Sequence, residues 1–186
     1  RKAQKIFWDK KKIYEIMNSE KDLINFLKRY KNKKVFIISG KNSFFINKAD
    51  KFFKRILNNY FVYIKLSKNP ILEELKNITK KLISFEPELI IAFGGGSTMD
   101  YAKIANVVAN PSKIKLTVID QKIKLKKRCK LLAIPTTAGS GAEVTPSAVI
   151  YYNKIKYSLE SDKIKPDYYF LIPKYLKLLK KKNKSF

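Results

Sequence analysis

Two short stretches hold the residues of this chain that could do chemistry. The first is Gly94-Gly95-Gly96-Ser97, which follows the apolar run Leu89-Ile90-Ile91-Ala92-Phe93 and leads into a segment with helical spacing. Without a Cβ, glycine lets an anionic oxygen come close to the backbone. A helix start adds unpaired N–H groups and the positive end of a dipole. Strand, glycine turn and helix start together predict a cradle for a nucleotide pyrophosphate, with a plain structural turn as the alternative. Ser97 and Asp100 are also spaced as a capping box, in which Ser97 caps the helix and Asp100 bonds back. Capping and phosphate binding are compatible.

The second stretch is Thr136-Thr137-Ala138-Gly139-Ser140, continued by Gly141-Ala142-Glu143-Val144-Thr145. Its hydroxyls are suited to ribose hydroxyls or a carboxamide, and a surface loop of small residues is the other reading. Glu143 is a catalytic candidate, although an exposed loop carboxylate is usually just solvated. Neither stretch is Gly-x-Gly-x-x-Gly, and GSGAEVT lacks the Lys-Ser/Thr of a P-loop. The chain has no histidine, which excludes His-based triads, bases and metal ligands built from its own residues.

Alternating elements must position these stretches. A possible-edge segment at 13–17 comes first, then a helix opened by Ser19 with acids Glu20 and Asp22 in its first turn. Its apolar face is Leu23, Ile24, Phe26, Leu27 and Tyr30. Residues 34–39 (KVFIIS) form an apolar run typical of a buried parallel strand. A helical face of Ala49, Phe52, Phe53, Ile56, Leu57 and Tyr60 follows, then a strand at 61–66. Asn69-Pro70 is expected to open a helix with Ile71, Leu72, Leu75, Ile78, Leu82 and Ile83 buried. A third strand at 89–93 and a helix at 98–109, closed by Pro111, complete the pattern. Beyond it lie a strand-like 116–119, a strand at 131–134, a hairpin of 147–152 and 155–159, and a last strand at 168–172. Strands alternating with amphipathic helices predict a parallel sheet with helices on both faces. In such a sheet ligands sit beyond the C-terminal strand ends, where Gly40 and Gly94 fall.

Composition bounds the rest. The chain has 186 residues, 45% of them hydrophobic, enough for a real core. No apolar run approaches the roughly 20 residues needed to span a bilayer, and no signal-peptide pattern is present. The lone Cys129 has no internal disulfide partner, which fits a reducing, cytoplasmic setting. The chain opens at Arg1 without methionine, so an earlier piece is expected to be missing. The net charge is +26, but only Arg1, Arg29, Arg55 and Arg128 are arginine among 41 basic residues. Scattered lysines beside abundant Ile, Asn, Tyr and Phe point to an A/T-rich coding bias. Bidentate nucleic-acid readers rely on arginine. A basic polyanion-binding module without enzymatic activity remains the competing class, although it would not need Gly94–Ser97 or the threonine loop.

Taken together, GGGSTMDYAK and the later AIPTTAGSGAEVT resemble the iron-containing (group III) alcohol dehydrogenases over roughly residues 13–173. The resemblance implies an α/β, Rossmann-like dinucleotide-binding domain over 1–173 and NAD(P)-linked interconversion of alcohol and aldehyde. Gly94, Gly95, Gly96 and Ser97 would hold the pyrophosphate. Thr136, Thr137 and Ser140 would line the ribose and nicotinamide side. Asn69 and Lys156 match cofactor-side residues, and Asp100 matches the acid of the glycine motif. NAD-preferring members carry an aspartate where this chain has Gly40, followed by Lys41, so NADP is favoured over NAD. The family's Fe²⁺ or Zn²⁺ is held by an aspartate and three histidines of an all-helical domain. That domain is expected to be absent here, with 174–186 a truncated, lysine-rich tail, no metal ligand in this chain, and an incomplete enzyme. A dehydroquinate synthase or glycerol-phosphate dehydrogenase relative is a further alternative. The partners expected are the nicotinamide dinucleotide, a small alcohol or aldehyde in a complete enzyme, and a second copy of the chain. Neither a specific nucleic acid nor a membrane is expected.

Overall fold

The structure is a computed structural model that describes residues 19–176. The expected edge segment at 13–17 and most of the lysine-rich tail lie outside the described residues. Five parallel strands form the central sheet: β1 (Val35–Gly40), β2 (Tyr60–Lys65), β3 (Leu89–Gly94), β4 (Lys130–Pro135) and the short β7 (Tyr168–Tyr169), in the order β2-β1-β3-β4-β7. A separate antiparallel hairpin pairs β5 (Ser147–Tyr152) with β6 (Ile155–Glu160). The helices are α1 (Glu20–Lys28), α2 (Lys41–Ile46), α3 (Ala49–Ile56), α4 (Leu72–Phe85), α5 (Gly96–Val107), α6 (Ile114–Val118) and α7 (Pro173–Leu176).

The sheet is buried on both faces because successive strand residues point to opposite sides. Phe36, Ile38, Ile90, Ala92, Leu131 and Ala133 pack into one core with α4, α5, α6 and the hairpin. Val35, Ile37, Leu89, Ile91, Phe93, Leu132 and Ile134 pack into the other with α1, α3 and α7. The helices themselves follow local signals. Ser19 caps α1 by accepting from the Asp22 N–H at 3.1 Å. Helix α4 ends where Glu86 turns left-handed at φ 52°, with Pro87 next. The chain leaves β1 toward β2, crosses back to β3, and then continues outward to β4. This reversal opens a crevice beyond the C-terminal ends of β1 and β3, where Gly40 and Gly94 are the last strand residues.

Several local expectations are corrected. Helix α5 starts at Gly96 rather than residue 98, so Ser97 lies inside its first turn and does not cap it. Gly95 is the N-cap without a side-chain bond, and its carbonyl accepts from the N–H groups of Thr98 and Met99 at 3.0 and 3.2 Å. The capping-box reading of Ser97 and Asp100 therefore fails. Asn69-Pro70 does not open α4, because Ile71 forms a bridge with Tyr151 and the helix starts one residue later. Ile71 is accordingly exposed, and Leu75, Ile78 and Leu82 carry the burial. Tyr60 begins β2 instead of finishing the face of α3. The helix α5 stops at Val107, and Pro111 opens a 3₁₀ turn in which the Asn110 side chain accepts from the Ser112 N–H at 2.9 Å. That start carries the chain into α6, where a strand was expected at 116–119. Ile114, Thr117 and Val118 are buried there at helical spacing. The final strand has two residues, not five.

Candidate functional site

The glycine turn and the threonine loop meet at the C-terminal edge of the sheet. Gly94 and Pro135 are paired in register at the ends of β3 and β4, and the Thr136 N–H donates to the Gly94 carbonyl at 2.9 Å. Contact at the turn is close, and it tightens from Gly96 back to Gly94. A Cβ on Gly94 would lie 2.4 Å from Thr98 Oγ1, and one on Gly95 would lie 3.0 Å from Thr137 Oγ1. A Cβ on Gly96 would sit 3.4 Å from Ser140 Cβ. Gly94 thus makes room for Thr98 of α5 itself, and Gly95 lets Thr137 of the second motif lie against the start of that helix. The loop itself turns through left-handed backbone at Gly139 (φ 99°) and Gly141 (φ 60°), a conformation that favours glycine.

The crevice between β1 and β3 is tied by side chains. Ser39 Oγ donates to the Phe93 carbonyl at 2.6 Å. Ser43 and Thr136 share a hydroxyl–hydroxyl bond of 3.0 Å across the edge. Thr136 is therefore buried and already partnered, whereas Thr137 and Ser140 keep the faces turned to the glycines. Lys41 is exposed in the first turn of α2.

Helix α5 is buried almost all round because the sheet covers one side and the hairpin another. Its polar residues at 100, 103 and 106 therefore need partners inside the protein. Asp100 accepts from the Val149 N–H, and burial pushes its carboxyl up to about 6 against the pull of Lys103 and Lys156. Lys103 is fully buried, donating to Thr145 Oγ1 at 3.1 Å and the Ser147 carbonyl at 2.8 Å. Burial pushes its ammonium down to about 8, opposed by Asp100 and Glu143. Asn106 accepts from the N–H groups of Arg128 and Cys129. Lys103 was not among the expected site residues, although its place in a polar stripe along an otherwise apolar helix marks it. Gly96, Asp100, Ser140, Thr145 and Lys156 line one cleft of about 370 Å³.

Asn69 is not in that cleft. It lines a neighbouring one of about 530 Å³ with Ile71, Tyr151 and Asn153. Its loop is held by Glu74, whose carboxylate accepts from the N–H groups of Leu66 (2.5 Å) and Ser67 (2.9 Å) and from Tyr101 Oη (2.9 Å). Burial alone would raise Glu74, but these bonds outweigh it and hold the carboxyl below its usual range. Tyr101 Oη in turn accepts from the Ile71 N–H at 2.8 Å.

The first backbone N–H groups of the twelve-residue α5 have no partner within the helix, which is the chemistry a pyrophosphate needs at this edge. A divalent metal does not fit the described residues. No three His, Cys, Asp or Glu side chains gather among them, and the sequence has no histidine. Burial pushes the half-buried Cys129 thiol up to about 12, which keeps it protonated near neutral pH. Among the described residues no helix is long and apolar enough to cross a membrane.

Comparison with known proteins gives consistent matches. The family model "Iron-containing alcohol dehydrogenase" matches residues 11–173. An alcohol dehydrogenase of Thermococcus barophilus is 34% identical over 112 residues, which are 56% of this chain and 30% of that protein. An NADPH-dependent butanol dehydrogenase of Clostridium saccharobutylicum is 33% identical over 150 residues, 76% of this chain and 39% of that protein. The solved structure of an iron-containing alcohol dehydrogenase from Thermococcus thioreducens aligns with a TM-score of 0.69 at 26% identity, covering 88% of this chain and 46% of that one. The chain thus spans less than half the length of each of these relatives.

Proposed function

The chain belongs to the iron-containing alcohol dehydrogenase family, and from that premise we propose that it binds a nicotinamide dinucleotide as the cofactor-holding part of an alcohol dehydrogenase or aldehyde reductase. Residues 1–173 would form the binding domain. The contact between the Gly94–Ser97 turn and the 136–140 loop carries this proposal. A phosphate cradle alone would serve many ligands. A cradle covered by a hydroxyl-rich loop suits a ligand with a pyrophosphate at one point and a ribose and carboxamide at the next.

When bound, the nicotinamide supplies the hydride chemistry. The chain's own residues bind and orient. The backbone at Gly95, Gly96 and Ser97 would take the pyrophosphate, and the α5 dipole would favour its charge. Thr137 and Ser140 would donate to the ribose and nicotinamide side, while Thr136 fixes the loop through Ser43. Lys156 would reach a ribose hydroxyl from β6, with Asp100 beside it as counter-charge. Asn69 would bind from the adjoining loop. Gly40, where a carboxylate would repel a 2′-phosphate, favours NADP over NAD, and the Clostridium saccharobutylicum relative is named as NADPH-dependent. The unpaired Cys129 fits a cytoplasmic setting.

Isothermal titration calorimetry of the chain tests this. Saturable binding of NADPH, tighter than NADH, is expected. Absence of nucleotide binding by the folded chain would overturn it. With added Fe²⁺ or Zn²⁺ no alcohol oxidation is expected, since the described residues gather no ligand set. Turnover would refute that part.

A further inference from the structure

Building on the dinucleotide reading, we propose that Lys65 is the residue that selects a 2′-phosphorylated cofactor, and that Gly40 matters because it places no carboxylate beside Lys65. Gly40 and Lys65 are the last residues of β1 and β2 and are paired in register. Both therefore lie at the C-terminal edge that carries the glycine turn of β3. A Cβ built on Gly40 would come 3.9 Å from Lys65 Cε and 4.0 Å from Ser43 Oγ, and nothing lies nearer. Gly40 has φ −82° and ψ 149°, extended backbone open to any residue. Glycine is thus not needed there for the turn. Its effect is the space between a lysine and a serine hydroxyl.

The ammonium of Lys65 is placed and partly used. Its Nζ donates to the Ser67 carbonyl at 2.5 Å and more weakly to the Lys68 carbonyl at 3.4 Å. An ammonium has three donors, so at least one remains for a ligand oxygen. Burial lowers the pKa of this half-buried lysine, and Glu74 counters that pull. The Glu74 oxygens are taken by two backbone N–H groups and Tyr101. Lys65 is therefore held by two neutral carbonyls within the field of the Glu74 carboxylate, with an N–H left to meet a phosphate oxygen. Lys41, the expected contact, is the more exposed of the two and less restrained.

Calorimetry on Lys65→Gln, Lys65→Arg and Gly40→Asp, with NADPH, NADH, 2′,5′-ADP and 5′-ADP, tests the assignment. Loss of one charge-assisted contact should weaken NADPH and 2′,5′-ADP about tenfold to a hundredfold in Lys65→Gln. NADH and 5′-ADP should change less than about twofold. Lys65→Arg should keep the preference. Gly40→Asp, which sets a carboxylate against Lys65, should favour the unphosphorylated ligands. Equal losses for both ligand types in Lys65→Gln would show that the lysine only props the 66–69 loop, and no loss would remove it from the site. Either result overturns the assignment while leaving dinucleotide binding intact. Failure of the unaltered chain to bind any of the four would overturn both.

Discussion

Gly94 and Gly40 end adjacent strands of one sheet, yet their surroundings are opposite. A side chain on Gly94 would run into Thr98 at 2.4 Å, whereas one on Gly40 would meet nothing closer than 3.9 Å. Gly94 is required by packing, because β3 must turn into α5 within two residues while the threonine loop closes from the other side. Gly40 is permitted rather than required. A side chain there would fill open space at the sheet edge without disturbing the fold. Two glycines at equivalent strand ends can thus differ, one required by packing and one free of it, and the proposed role of Gly40 in ligand choice rests on that freedom.

The sharpest way to break this contrast is at the crowded turn. Gly95→Asp places a carboxylate against Thr137 and in the cradle itself. Nucleotide binding should fall by at least about a hundredfold, read by calorimetry on protein shown to be folded by circular dichroism. Retained affinity would mean that the turn is structural only.

A second test uses the buried acid behind the turn. Asp100 is raised in the folded state from 3.8 to about 6, mainly by burial. Asp100 then binds more proton in the folded chain than in the unfolded one between those values, so its contribution to stability falls as pH rises from about 4 to 6, while Glu74, held low, works the other way. The full effect has an upper bound of about 3 kcal/mol. Urea unfolding midpoints across this range should show the decline, and Asp100→Asn should flatten it.

The direct comparison follows. Gly94→Ala should cost about 1–3 kcal/mol through overpacking against Thr98. Gly40→Ala, at extended φ and ψ, should change stability by less than about 1 kcal/mol, and restriction of the unfolded chain gives it a stabilising direction. Chemical denaturation of the two variants reads the difference. Equal costs would erase the distinction between the glycines.

Much of this architecture was legible in the sequence. The strands at 34–39, 89–93 and 131–134 are short apolar runs, and burial on both faces demands such runs. The hairpin was legible as two neighbouring runs at 147–152 and 155–159, and in the structure Asn153 and Lys154 make its two-residue turn in left-handed backbone. Helix α6 was misread because Leu116 and Val118 alternate with polar residues, while the helix is set by the Asn110-Pro111 start and by packing on α4. Ser97 was misread as a cap because nothing local reveals that Gly95 is already the N-cap. The glycine turn and threonine loop were found separately, but their contact depends on the pairing of β3 with β4. Lys65 was invisible for the same reason. Its neighbour Gly40 is distant in sequence, and only the parallel register brings the two together.

In the proposed function the glycine turn and the threonine loop act as one site. Amide hydrogen exchange of the chain with and without saturating NADPH tests it most directly. Slowed exchange should appear together at residues 95–98 and 136–140, with little change along β7. Protection at one stretch alone, or at neither, would contradict a two-part dinucleotide site.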